Sequence, residues 1–418
     1  MTGIQISRRS VLIGGGLALA GGRPSFAQSG KEIVIGALYP TTGPSAQIGS
    51  DARAAFATAL DIINGPAKVD TLMGGGAGLP SLGGAKVKVI FADTQADPQK
   101  GRSEAERLIT QDKVAALIGC YHSGVSATVS VTCERYGIPF LCADSTSPSL
   151  QQRGLKYFFR PCATDVMATE AIFDFLDWMK SRGKQIRTVS LFHDDTIWGV
   201  DSAKVQTQTA QARGYTIAAD IKYKSNSPSL TAEVQQLKSS DPDVLIPSSY
   251  TTDAILLGRT MKELGYEPKN LVANSAGFSE QSLYEAVGAS LDNAMTRDNF
   301  SPDLSEKRPV VSVINTMYHE KANRNLNDMS ARQVTGLLVL ADAINRAGSI
   351  EGEKIRAALV ATDIPGDVLV VPWKGVKFDT QGQNIYASVS ILQRTGGRFR
   401  TVFPSALAVA EPIWPMHS

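Results

Sequence analysis

Short apolar runs alternate with amphipathic stretches from Lys31 onward. Ile33-Val34-Ile35-Gly36-Ala37-Leu38, closed by Thr41, Gly43 and Pro44, reads as a buried strand running into a turn. A helix follows over 49–63, with Ala55, Ala59 and Ile63 on one face. Strands are expected at 86–92, 114–119, 138–141 and 157–160, and helices at 98–112 and 124–136. In the first of these helices Lys100 and Glu104 stand four apart, the spacing of an ion pair. The rhythm then restarts. Helices at 169–182, 199–213, 230–239 and 252–264 alternate with strands at 188–192, 216–222, 243–247 and 270–274. This repetition predicts an α/β protein built of two sequential Rossmann-like units, each with a parallel sheet covered on both faces.

The last third is too short for a third unit. It carries a strand at 294–300, helices at 310–323, 331–347 and 351–361, strands at 376–378 and 387–392, and a Gly396-Gly397 turn into 399–402. Spent on completing the two existing sheets, it makes the chain cross between the units more than twice. Residues 64–84, with Gly74-Gly75-Gly76 and Gly83-Gly84, read as an exposed insertion. A phosphate loop is the wrong reading there, because no Gly-Lys-Ser/Thr follows and the segment lies after a helix and before a strand.

Composition narrows the function classes. The 418 residues suit more than one compact unit, and 20% charged with 43% hydrophobic residues is the balance of a folded globular chain. The N-terminus carries Ser7-Arg8-Arg9-Ser10-Val11-Leu12, similar to a twin-arginine export motif, then a weakly apolar stretch to Ala20 and Ser25-Phe26-Ala27. Residues 1–27 are therefore expected to be a cleaved signal peptide. Five glycines among residues 14–22 make that stretch too short and weak for an anchor. Cleavage removes Arg8, Arg9 and Arg23 and no acid, so the formal charge of +2 becomes −1, 39 basic against 40 acidic groups. Nucleic acid is not an expected partner of a chain so balanced. No later segment is long and apolar enough to span a bilayer, so the mature chain is expected to be soluble and periplasmic. Cys120, Cys133, Cys142 and Cys162 match no C-x-x-C pair, and with four histidines a zinc site is not expected. Buried free thiols are favoured over a disulfide, for which Cys120 and Cys142 are the best placed. No cofactor is expected.

In parallel sheets, ligands sit beyond the carboxyl ends of the strands. Two adjacent strand ends here are rich in small hydroxyls: Cys120-Tyr121-His122-Ser123-Gly124, and Cys142-Ala143-Asp144-Ser145-Thr146-Ser147-Pro148. Ser123 at a helix start, with Ser145 and Thr146 beside it, can hold a carboxylate or amide oxygen. Each alone would read as a plain helix cap; two neighbouring clusters point to a site.

The stretch 116–161, with Ile118-Gly119, Ser123, Asp144-Ser145-Thr146-Ser147-Pro148 and Gln152-Arg153-Gly154, resembles the branched-chain amino-acid and amide-binding proteins of ABC transporters. So do Ile35-Gly36 through Gly49, and His193-Asp194-Asp195 through Trp198-Gly199. The resemblance implies the type I periplasmic binding protein fold, two lobes joined by a three-stranded hinge. The N-terminal lobe would take 28–162 and 292–384, and the C-terminal lobe 163–291 and 385–418. It implies a small-molecule ligand, closure of the lobes around it, and docking on ABC permease membrane subunits. By position, Ser123 matches the serine that binds the ligand carboxylate or amide, with Ser145 and Thr146 beside it. Tyr121 matches a stacking tyrosine, and Trp198 and Tyr250 match aromatics of the second lobe.

Two departures bear on the ligand. Amino-acid binders of this family carry a glutamate in the loop after the strand ending near Asn274; here that loop is Asn274-Ser275-Ala276-Gly277-Phe278. Asp144, Asp253 and Glu280 are the candidate substitutes. The family tyrosine near Gly49 is replaced by Ile48, which makes that wall more apolar. An aromatic or aliphatic carboxylate, an amide or a modified amino acid is compatible with this set. A sensor presenting its ligand to a membrane receptor would use the same residues. An enzyme would need His193-Asp194-Asp195 as its base or metal cluster, and adjacent positions at a strand end point in different directions.

Overall fold

The computed structural model describes residues 32–66 and 68–417; the expected leader at 1–27 lies outside them. The first lobe opens with β1 (Glu32–Tyr39), α1 (Ala46–Asn64), β2 (Lys86–Asp93), α2 (Pro98–Thr110), β3 (Ala116–Gly119), α3 (Ser123–Tyr136), β4 (Phe140–Cys142) and β5 (Phe158–Phe159). Its strands pair in parallel in the order β2-β1-β3-β4-β5. Every residue of β3 and β4 is buried, as helices on both faces require. Helix starts follow local chemistry. The Asp97 side chain accepts from the Lys100 amide at the start of α2, and Lys100 and Glu104 pair at 2.7 Å.

The second lobe holds α4 (Asp165–Ser181), β6 (Thr188–Asp194), α5 (Ile197–Ala212), β7 (Thr216–Tyr223), α6 (Thr231–Ser240), β8 (Val244–Ser248), α7 (Thr251–Glu263), β9 (Val272–Ala273), α8 (Gln281–Val287) and β10 (Met295–Asp298). Strands β7-β6-β8 continue through a Leu245–Leu271 bridge into β9 and β10. The chain then returns to the first lobe with α9 (Pro309–Ala322), α10 (Asp328–Ala347), α11 (Gly352–Val360), β11 (Asp363–Pro365) and β12 (Gly375–Lys377). It ends with β13 (Ser390–Thr395) and β14 (Arg398–Phe403), which close the second sheet antiparallel beside β10. Strand β10, expected in the first lobe by a boundary at 292, is therefore a strand of the second sheet, and the crossing falls after Asp298. Helix α8 and the short strand β11 were absent from the sequence reading, and both are too short to show a period.

Helix α10 is the backbone of the first core. Its N-cap Asn327 and Ser330 form a reciprocal capping box, and it is buried on all sides against α1 and the sheet. The segment between α1 and β2 lies at the surface, as its glycines suggested, but it is anchored to the lobe. Leu79 is fully buried, Leu72 N–H and Thr71 Oγ1 donate to the Val368 carbonyl, and Ser81 N–H donates to Asn345 at the end of α10.

Three crossings join the lobes, and buried side chains tie them together. Arg160, just after β5, donates from Nε to Gln383 Oε1 at 2.8 Å and from Nη1 to the Ser147 carbonyl at 2.7 Å. Gln383 Nε2 donates to the Cys162 carbonyl and Asn384 Nδ2 to that of Pro161. All four cysteines are buried free thiols.

The β1–α1 corner is held by a close main-chain approach. A Cβ on Gly49 would lie 2.2 Å from the Pro40 carbonyl oxygen, a clash with main chain that no rotamer relieves. Gly49→Ala is expected to cost about 1–3 kcal/mol, as overpacking does, and to lower the melting temperature of the mature protein by a few degrees; an unchanged melting curve would refute this.

Candidate functional site

The parallel strands of both lobes end at one small cavity of about 20 Å³, room for about one water molecule. Its wall takes Tyr121, Ser123, Asp144, Thr146, Met329 and Arg332 from the first lobe and Trp198, Tyr250, Ser275, Ala276 and Arg297 from the second. Seven of the nine residues singled out from sequence meet here: Tyr121, Ser123, Asp144, Thr146, Trp198, Tyr250 and Ala276.

Ser145 and Ile48 do not. The turn after β4 alternates its side chains, so Asp144 and Thr146 face the cavity and Ser145 faces away. Ser145 Oγ donates to the Cys120 carbonyl at 2.7 Å and meets Ser126 Oγ at 2.7 Å, which makes it a clamp between two strand-end loops. Ile48 is buried within the apolar cluster of the first lobe and does not reach the cavity.

Aromatic rings from both lobes close over the space. Tyr250 stands 5.3 Å from Tyr121, 4.7 Å from His122 and 4.7 Å from Trp198, centroid to centroid. These separations are those of favourable aromatic pairs. Burial lowers the His122 pKa to about 4, so this ring is neutral at physiological pH. At the mouth, Asp201 on α5 accepts from Ser147 Oγ and, at 3.4 Å, from the Ser149 amide on the first lobe.

The polar wall contains atoms that are buried and unpaired: Ser123 Oγ, Tyr121 OH, Arg297 Nη1 and one oxygen of Asp144. Ser123 is the first residue of α3, so its side chain stands among that helix's free amides. Arg297 is anchored from behind, with Nε donating to Asn274 at 2.7 Å and Nη2 to Asp165 at 2.8 Å. Arg332 likewise pairs with Asp328 and donates to the Asp144 carbonyl. Ser275 and Ala276 both have positive φ, +59° and +53°, an uncommon pair of non-glycine conformations that turns this loop towards the cavity.

Of the three acids considered as substitutes, only Asp144 lines the cavity. Burial raises it to about 6, and Gln333 donates to its other oxygen at 3.1 Å. Asp253 accepts from the Asn226 amide elsewhere in the second lobe. Glu280 lies behind the Ser275–Ala276 turn, where Asn327 of the first lobe donates to it at 3.3 Å. Burial, then the nearby Asp51 and Asp298, push it up to about 8. His193, Asp194 and Asp195 diverge as expected. His193 meets Asp220, Asp194 accepts from the amide of Thr196, the residue that caps α5, and Asp195 accepts from the Ser225 amide. No group of potential metal ligands occurs among the described residues.

Ser275, Arg297, Met329 and Arg332 were missed. Arg297 left a signal, a charged Arg297-Asp298 pair inside a stretch read as a buried strand. Met329 and Arg332 left none, because only the fold brings the start of α10 to the cleft.

A family model described as periplasmic binding protein matches residues 32–397. The chain belongs to that family. The chain is 26% identical over 408 residues to a Leu/Ile/Val-binding protein homolog 7 of Brucella abortus, spanning 94% of this chain and 97% of the relative. Among solved structures, a branched-chain amino acid transporter substrate-binding protein of Streptococcus pneumoniae in complex with isoleucine superposes with a TM-score of 0.74. It is 19% identical, over 92% of this chain and 100% of the other. A solute-binding protein of an ABC transporter from Rhodopseudomonas palustris in complex with 3,4-dihydroxybenzoic acid gives 0.73, 17% identical, over 88% and 95%. These last two likenesses establish the type I periplasmic binding protein fold. No helix among the described residues of this periplasmic binding protein is long and apolar enough to cross a membrane.

Glu280 gives a prediction with a definite sign. Its carboxyl is held near 8 in the folded protein against about 4.3 in an unfolded chain. Its contribution to stability is therefore intact below about pH 4 and lost as pH rises towards 8. Glu280→Gln keeps an acceptor for Asn327 and cannot ionise. Thermal unfolding should show the variant gaining on the parent at pH 8 and not at pH 4.5; equal shifts at both would refute the assignment.

Proposed function

We propose that this chain is the extracytoplasmic solute-binding component of an ABC importer, capturing a small amino-acid-like, amide or carboxylate ligand between its lobes and delivering it to a membrane permease. Export through the twin-arginine motif at 7–12, with cleavage after Ala27, belongs to the same reading. One observation carries the proposal: buried polar groups without partners, Ser123 Oγ and Tyr121 OH on one lobe and Arg297 Nη1 on the other, meet at a single cavity. Buried polar atoms are almost always paired, so a cluster of unpaired ones marks a place for a guest. The diverging His193, Asp194 and Asp195 supply no catalytic cluster, so the output is motion of the lobes.

Closure is the working step. Sites for small molecules typically enclose about 300–1,000 Å³. With 20 Å³ between the rings here, a ligand enters only when Trp198 and Tyr250 swing out with the second lobe. Micromolar binding corresponds to about 8 kcal/mol, and moving a lobe equilibrium from rare to dominant takes about 5.5 kcal/mol. Charge-assisted hydrogen bonds and two buried aromatic faces are of that order. The Asp201 contact with Ser147 and Ser149 adds a latch at the mouth that touches no ligand.

Thermal-shift screening of the mature protein against amino acids, amides and aromatic acids identifies the ligand. With the tightest of them, Ser123→Ala and Trp198→Ala are each expected to weaken binding at least about tenfold in calorimetry while leaving the fold intact. Unchanged affinity in both would remove this site. Asp201→Ala should raise the dissociation rate about three- to tenfold with little change in association; a slower association at unchanged release would show that the latch does not hold the closed form.

A further inference from the structure

We propose that Arg297 makes the cleft selective for a carboxylate over the matching amide, the acid group lying between its Nη1 and Ser123. The inference rests on the reading of this cavity as the solute site. Arg297 comes from β10, the strand that leads into the second crossing, and is 1% exposed. Two of its three nitrogens are committed. Nε donates to Asn274, and Nη2 donates to Asp165, which also accepts from Ser202 at 2.8 Å. That backing fixes the plane of the guanidinium and leaves Nη1 as the one nitrogen without a partner, on a residue of the cavity wall. Across the space, Ser123 Oγ is equally buried and unpaired at the head of a fourteen-residue helix.

A guanidinium donates and never accepts. A carboxylate offers an acceptor oxygen to each side, one to Arg297 and one to Ser123 and the α3 amides. An amide of the same shape offers one acceptor and one N–H₂, so either Arg297 faces a donor or the group turns and Ser123 becomes its acceptor at the expense of the helix amides. One buried mismatch of this kind is worth about tenfold in affinity or more. Of the acids nearby, Asp144 alone lines the cavity. Asp165 and Asp328 are spent on the two arginines, and burial leaves Asp144 and Glu280 able to take up a proton as a carboxylate arrives. The loop carrying Ala276, where other members place a glutamate, adds no acid.

The experiment measures binding of three acid–amide pairs to the full mature chain by calorimetry: benzoate and benzamide, 3-methylbutanoate and 3-methylbutanamide, L-leucine and L-leucinamide. In each pair that binds, the acid is expected to bind at least about tenfold more tightly. Arg297→Gln combined with Asp165→Asn, which removes both charges of the buried pair together, should bring acid and amide within about threefold. The comparison in the unaltered protein stands even where the double variant fails to fold. An amide binding as tightly as its acid would overturn the carboxylate assignment and leave solute capture standing. Binding by none of the six would overturn the assignment and count against the site itself. A folded double variant that keeps the acid preference would move the selectivity to another residue.

Discussion

Arg160 is a fully buried guanidinium at the first crossing between the lobes, and its hydrogen bonds go to neutral oxygens. Burying a charge this way is costly, and with Nη2 unpaired the groups that meet Nε and Nη1 carry the whole of its compensation and are fixed in place. Those groups are the Ser145 and Ser147 carbonyls of the strand-end loop that carries Asp144 and Thr146, and Gln383 of the third crossing. The hinge and one wall of the cavity are thus a single hydrogen-bonded unit. In the proposed closing motion the second lobe pivots about it without disturbing the hydroxyl face of the first.

The cleft is divided accordingly. The first lobe presents polar groups held by main chain and a helix start. The second presents Trp198 and Tyr250 at the starts of α5 and α7, rigid rings that under the proposed reading cover the ligand with few rotors lost. Ser147 joins the two functions, since its carbonyl accepts from the hinge arginine while its hydroxyl donates to Asp201 on the moving lobe. Closing the mouth therefore acts on the same short segment that the hinge holds.

Most of this was legible from residue patterns. Strand–helix alternation located the major elements of both sheets because buried parallel strands read as unbroken apolar runs. The hydroxyl-rich ends of β3 and β4 announced the cavity because nothing in a core explains them. What failed did so for definite reasons. Ser145 was misassigned because a turn alternates its faces, so adjacent hydroxyls cannot all serve one ligand. The glycines at 64–84 pointed to a surface loop but not to its anchoring, which Leu72 and Ser81 supply through contacts with 368 and 345, too distant in sequence for any local pattern to show. Met329 and Arg332 belong to a helix whose buried length hid its polar first turn.

The same long-range logic bears on how a family scaffold changes its guest. The loop 274–278 on the second lobe carries no acid, so Ala276 offers the cavity no charged acceptor. Here Arg297 stands in the same wall with one nitrogen unspent, and its backing by Asp165 and Asn274 makes that nitrogen a fixed donor. The second-lobe wall thus offers a donor and no carboxylate, while Ser123 and Thr146 line the side of the other lobe. On the proposed reading, a change of side chain in that wall alters which ligand stabilises the closed form and leaves the hinge untouched.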